Sequence, residues 1–531
     1  MRPPTHVREQ SASGRESHLA HARRHLLLLL TLALLVVGVG IGLRDPWGVD
    51  EERFLGVALE MLQGGSWLVL HRAGEPYSDK PPLFMWLLAL ATHVTGAPRV
   101  AFRLPGLIAA LGCTVCVYDL GRRLWSRRAG LAAGLLFLAT IQSVLVLRGG
   151  QTDALLILWT TLGLYGLLRH LTVGPAWGWY GVASVAMGLG VLTKGVGFLP
   201  LLLLVPYVYG RRRGFRGLAP IAPRDPRWLI GPLVLLGTVA IWAGPLLVRA
   251  AVAHDPTLQA YTQDLFVGQT LRRMVAAKQH REPFWYFVVQ VIPGAWLPIV
   301  LGLPWLVPAW RRRLVRGDGR LLLLLGWIAL TVVFFSLSRG KRSLYVFPAV
   351  PALALAAGPM IAALVRRPVA ASRVRRIVLI GTLAWFSGLI AWGVAEPFVG
   401  ARHYPRRAIM TAVAHRIGAA QELGLVQWRD GQWLFARNPI VHFGYRAGRA
   451  QLGSARAWLR ERPERWLLAT DRALAACFDM ARAVPAGHDR GRALYLVDAR
   501  ADTGRCAGQP GPRIFRFRWT RPDWGAPSPR E

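Results

Sequence analysis

Lysine is nearly missing from this chain. Of 65 basic residues only four are lysine, Lys80, Lys194, Lys278 and Lys341, against 28 acids, 8 methionines and 4 cysteines in 531 residues. Charged residues of both signs make up 18% of the chain and hydrophobic ones 53%. Such a composition excludes an ordinary soluble domain, and a mean hydropathy of +0.33 with repeated apolar runs indicates a polytopic membrane protein. The formal charge of +37 does not indicate nucleic acid. No basic stretch carries the interleaved aromatics of such binding, and the arginines fall in short loops between apolar runs, as the positive-inside rule requires. Cys113 and Cys116 sit in an apolar helix pattern without a histidine or a second pair, so they read as packing rather than metal or redox groups. Cys477 and Cys506 can pair if their region lies outside the cytoplasm.

Apolar runs bounded by charge predict spans at 25–43, 101–120, 129–147, 153–169, 177–193, 195–209, 228–248, 284–309, 321–337, 343–364 and 377–395, about 11 to 13 transmembrane helices in all. No small-residue cleavage site follows the first run, which predicts a retained span. Pro82–Val94 is too short to cross and reads as an interfacial helix. With these spans, the arginine clusters at 8–24, 121–128, 210–217, 310–320 and 365–376 all fall on one face, the cytoplasmic one. The other face receives the loop 44–100, the turns at 148–153, 194 and 338–343, the loop 249–283, and everything after 396.

The loop segment 44–79 holds Asp45, Asp50, Glu51, Glu52, Glu60, Glu75 and Asp79, seven of the 28 acids. All four lysines fall on the same outer face, at the membrane boundary. A point ammonium differs from the planar arginine fork, and a set of them at headgroup depth suits a phosphate. Carboxylates beside such cations can serve as bases for a hydroxyl or amine. Pro81 and Pro82 forbid a helix through Lys80 and place it before the interfacial helix.

Residues 47–86, WGVDEERFLGVALEMLQGGSWLVLHRAGEPYSDKPPLFMW, resemble the first outer loop of GT-C glycosyltransferases. The similarity is closest to the bacterial branch of lipid A aminoarabinose transferases and relatives of protein O-mannosyltransferases. RGGQTDALL, LGVLTKGVGFLP, HREPFWYF and FFSLSRGKRSLYVFPAVPALAL follow in the same order. The resemblance implies a GT-C membrane domain at 25–396 behind a basic tail 1–24, with interfacial helices in the outer loop 44–100. A small α/β outer domain is expected at 397–520 and a disordered tail at 521–531. It implies an enzyme of the bacterial inner membrane that moves a sugar from a polyprenyl-phosphate donor to a lipid, glycan or protein acceptor outside the cytoplasm. A flippase of lipid-linked sugars is the alternative, but it should carry ionisable groups at mid-bilayer. By the same resemblance Asp50 is the general base and Asp153 the second acid. Lys80, Lys341, Tyr345 and Arg53 are donor-phosphate groups, and Glu51, Asp79, Tyr77, His280 and Arg281 support them. No cofactor is required by the pattern; a divalent metal near Asp79 and His280 is possible. Two departures stand out: Phe54 replaces a usual tyrosine, and Asp79 a usual glutamate. In the C-terminal region, the stretch ending at Gly424 predicts a helix, and QWLFA, PIVHFGY and RALYLVDA predict strands. SARAWLRERPERWLLATD predicts a helix and a strand.

Overall fold

The computed structural model describes residues 20–266, 268, 281–364, 371–448, 450–505 and 514–517. The described chain is mostly helical and divides into two compact units. One comprises 1–39, 78–84 and 103–394, the other 40–77, 85–102 and 395–531.

The first unit holds the membrane helices. Across the described residues six helices are long and apolar enough to span: Ala20–Gly38, Pro98–Leu124, Thr152–Val173, Pro226–Val252, Gly319–Leu337 and Arg376–His403. Two bent pairs raise the number to eight, Arg127–Ala139 with Ile141–Leu147 at 63° and Phe287–Ala295 with Ile299–Val315 at 101°. The eleven apolar runs of the sequence are therefore present largely as helices, but several are too short or too broken to count as spans. The run 195–209 splits into a tight turn of helix, Leu199–Leu203, followed by Leu204–Arg212. The run 343–364 splits into Ser343–Val346 and Ala349–Leu364. Pro200 stands in the first turn of Leu199–Leu203, where proline is tolerated, and Pro348 lacks a donor at the break between Ser343–Val346 and Ala349–Leu364. Small residues let the helices approach: a Cβ on Gly121 would stand 2.7 Å from the Cα of Gly130 on the neighbouring helix.

The breaks are tied together by polar contacts. Ile141 donates its N–H to the Leu297 carbonyl at 2.9 Å. Gln142 accepts from the Trp296 indole at 2.8 Å and donates to the Ser343 carbonyl at 2.7 Å. One buried amide thus joins both bends to the segment that carries Tyr345. Arg148, the first residue of RGGQTD, is 2% exposed. It donates to the carbonyls of Val36, Val39 and Gly393 at 2.8, 2.9 and 3.0 Å, serving backbone oxygens at the end of the first helix and the oxygen that Pro397, lacking an N–H, leaves inside Ala371–His403.

The second unit begins with helix Val49–Leu62, followed by a hairpin of β1 (His71–Arg72) and β2 (Glu75–Pro76), with His71 opposite Pro76. The helix expected at 82–94 is present as Leu83–Thr95. The remaining strands, β3 (Leu423–Leu425), β4 (Ile440–His442), β5 (Trp466–Thr470), β6 (Val484–Asp489), β7 (Arg492–Val497) and β8 (Phe515–Phe517), form one sheet in the order β6-β7-β5-β3-β4-β8. β3 runs parallel to β4 and β5, and the outer pairs are antiparallel. Two expectations are corrected here. QWLFA lies in helix Asp430–Phe435 rather than a strand; a run this short has no decisive period, and Trp433 is buried against Gly56. The helix expected to run to Gly424 is Arg406–Ile417, stopped by Gly418 at φ +86°, and Leu423–Leu425 is the central strand β3.

Candidate active site

Asp50, Glu51 and Glu52 occupy the first turn of helix Val49–Leu62, where carboxylates meet the positive end of the helix dipole. Successive helical positions point in different directions, and the three side chains meet different partners. Glu51 accepts two bonds from Arg44, at 2.7 and 2.8 Å, and a third from the Trp47 N–H at 3.1 Å. Arg44 also pairs with Glu396 at 3.2 Å and lies 4.1 Å over the Trp47 ring. Glu52 pairs with Arg406, which in turn reaches Asp489 at 2.9 Å. Both carboxylates are 5% exposed or less. Asp50 differs: its side chain is 19% exposed and faces Arg53 at 3.8 Å, one turn on. Two of the three acids therefore brace the second unit, and Asp50 is the most exposed of the three. Tyr77 is fully buried in the same unit.

In the first unit Asp79 and Lys80 are half-buried immediately before Pro81 and Pro82. Asp153 opens helix Thr152–Leu168 and is paired with Lys194 at 2.5 Å. The Lys194 ammonium lies 4.7 Å from the centre of the Tyr345 ring, a cation–π distance. Lys194 was not among the expected site residues, although the scarcity of lysine marked it. Lys341 is 4% exposed, and its ammonium donates to the carbonyls of Glu282 and Ser338 at 2.8 and 2.6 Å. Burial lowers its pKa from the usual lysine value. Arg281 bridges Gly340 in an antiparallel contact, so Arg281, Glu282, Ser338, Arg339 and Lys341 line one cavity of about 260 Å³. The first unit thus brings Asp153, Lys194 and Tyr345 into one cluster and Arg281 and Lys341 into another.

His280 and Lys278 lie outside the described residues, as do residues 267 and 269–280 of the outer loop 249–283. No three His, Cys, Asp or Glu side chains gather as a metal would need among the described residues. Cys477 is disulfide-bonded and Cys113 and Cys116 are free, while Cys506 lies outside the described residues.

Residues 79–222 match the model of the dolichyl-phosphate-mannose-protein mannosyltransferase family. An undecaprenyl phosphate-alpha-4-amino-4-deoxy-L-arabinose arabinosyl transferase of Serratia proteamaculans is 29% identical over 379 residues, 69% of this chain and 63% of that protein. One from Pseudomonas fluorescens is 31% identical over 65% of this chain and 60% of its own. The matched region thus spans less than two thirds of these two relatives. The crystal structure of ArnT from Cupriavidus metallidurans in the apo state superposes with a TM-score of 0.69 over 93% of this chain and all of that one, at 22% identity. The same protein bound to undecaprenyl phosphate gives 0.68 at 20%. The chain is related to the GT-C glycosyltransferases. Its fold resembles that of the solved ArnT structure over 93% of its length. It is a multi-pass membrane protein.

Proposed function

We propose that this chain is an inverting glycosyltransferase that moves a sugar from a polyprenyl-phosphate donor to a lipid, glycan or protein acceptor outside the cytoplasm. The carrying observation is the place of Asp50 in the first turn of the outer-loop helix, 19% exposed and 3.8 Å from Arg53, beside two acids that are almost fully buried in ion pairs. A general base must reach the proton it removes, and Glu51 and Glu52 are occupied. The leaving group, a phosphate monoester on a lipid, is a weak base; it needs positive charge more than a proton. In this reading Lys80, with Tyr345, holds that phosphate, and preorganised cations stabilise the charge as the sugar–oxygen bond breaks. Lys341 orders the loop that carries Tyr345 and contributes positive field, because two carbonyls hold its ammonium. Asp153 acts with Lys194 as a paired support for Tyr345. Glu51 and Tyr77 support the Asp50 helix, and Asp79 and Arg281 serve the donor side. One base without an acid partner fits a single displacement with inversion.

We place the protein in the bacterial inner membrane, with residues 25–396 as the catalytic domain. The site and the domain 397–520 belong on the outer side. The disulfide at Cys477 supports that side, since disulfides persist in oxidising compartments. The relatives named for undecaprenyl-phosphate aminoarabinose make that donor the first to supply. The test is donor dependence. Membranes containing the protein should move label from an undecaprenyl-phosphate sugar into an acceptor and should ignore the matching nucleotide sugar. Transfer from the nucleotide sugar alone would contradict the reading.

A further inference from the structure

The helix Leu303–Val315 ends in two rows of residues four apart, Val307, Arg311, Val315 and Pro308, Arg312, Arg316, which share one face. Together they line a groove of about 500 Å³. Neighbouring Arg313 and Arg320 both turn to Asp318, at 3.7 and 3.6 Å. Arg311, Arg312 and Arg316 form no ion pair among the described residues. Their apolar neighbours are open too: Val307 is 52% exposed and Val315 82%, at the end of the bent span 287–315. A solvated arginine collar would explain the cations but not the apolar wall beside them.

We propose that this groove binds one anionic phospholipid of the leaflet at the arginine-rich face. The guanidinium forks take the phosphodiester, for which their planar donors are suited. An acyl chain covers Val307 and Val315, which removes apolar surface from headgroup water. Charge complementarity selects an anionic lipid over a zwitterionic one.

The test is native mass spectrometry of the full chain in neutral detergent, with phosphatidylglycerol or phosphatidylcholine added at equal concentration. One phosphatidylglycerol should stay bound under activation that strips phosphatidylcholine. Arg311→Gln with Arg312→Gln and Arg316→Gln should weaken that binding about tenfold or more, the loss of charge-assisted bonds. Arg211→Gln with Arg212→Gln and Arg213→Gln, which removes the same charge from another arginine cluster, should leave it unchanged. Val315→Trp keeps every charge, narrows the groove and should also weaken lipid binding. Equal retention of the two lipids, or equal weakening by both triple variants, would overturn the proposal. So would displacement of the lipid by glycerol phosphate at equal concentration, or full binding by Val315→Trp.

Discussion

Glu60 and His442 grip the same residue. The Glu60 carboxylate accepts the Ala73 N–H at 2.5 Å and the Gly74 N–H at 3.1 Å, while the His442 Nε2–H donates to the Ala73 carbonyl at 2.7 Å. The Gly444 N–H donates to His442 Nδ1 at 3.1 Å, which fixes that tautomer. Ala73 and Gly74 sit at φ 55° and 74° in the tip between β1 and β2, an arrangement that costs an alanine free energy and needs such anchoring. Burial pushes the Glu60 pKa up to about 7 and the His442 pKa down to about 4.

These two shifts act on stability in opposite directions. With Glu60 raised from 4.5 to about 7, the folded state holds its proton more tightly. Its contribution to stability is therefore full below pH 4.5 and falls as pH rises through 7. With His442 lowered from 6.5 to about 4, the unfolded state takes the proton first. Its contribution is full above pH 6.5 and falls as pH drops through 4. Each is on the order of 3 kcal/mol at most. Glu60→Gln should flatten the alkaline limb of a pH series of thermal unfolding, and His442→Gln the acid limb. Parallel curves for wild type and both variants would contradict the clamp.

Glu51 and Asp50 are adjacent yet should fail differently. Glu51→Ala leaves Arg44, 2% exposed, with only part of its counter-charge, which should cost on the order of 3 kcal/mol or more in stability. Asp50→Asn, at a more open position, should change stability by about 0.5 kcal/mol or less. Denaturant unfolding of the two variants distinguishes a buried brace from a carboxylate at a more exposed position.

The pair Asp153 and Lys194 predicts a coupled defect. Lys194→Met alone strands a buried carboxylate and should destabilise the protein by on the order of 3–5 kcal/mol. Adding Asp153→Asn should restore much of that loss, because the pair is then removed as a whole. Additive losses in the double-mutant cycle would show that the two groups do not interact.

Much of this arrangement is legible in the amino-acid sequence. Apolar runs locate most membrane helices, Pro81 and Pro82 mark the start of Leu83–Thr95, and the rarity of lysine points to Lys80, Lys194 and Lys341. The roles of the acids are not legible, because their partners are remote in the chain. Glu52 meets Arg406, and Asp430 binds Arg72 across 358 positions. Helix Asp430–Phe435 is misread as a strand, since its aromatics are set by tertiary packing rather than by local period. The bends at Thr140 and near Trp296 depend on Gln142, whose amide bonds reach 154 and 201 positions away, so hydropathy alone draws straight spans there.

The most direct measurement is the transfer rate of the Asp50→Asn variant, taken beside its affinity for an undecaprenyl-phosphate sugar. Loss of a general base should lower the rate about 10²- to 10⁴-fold while donor binding stays within about twofold of wild type, since uniform binding is untouched. A variant that transfers sugar at the wild-type rate would contradict the assignment of Asp50 as the base.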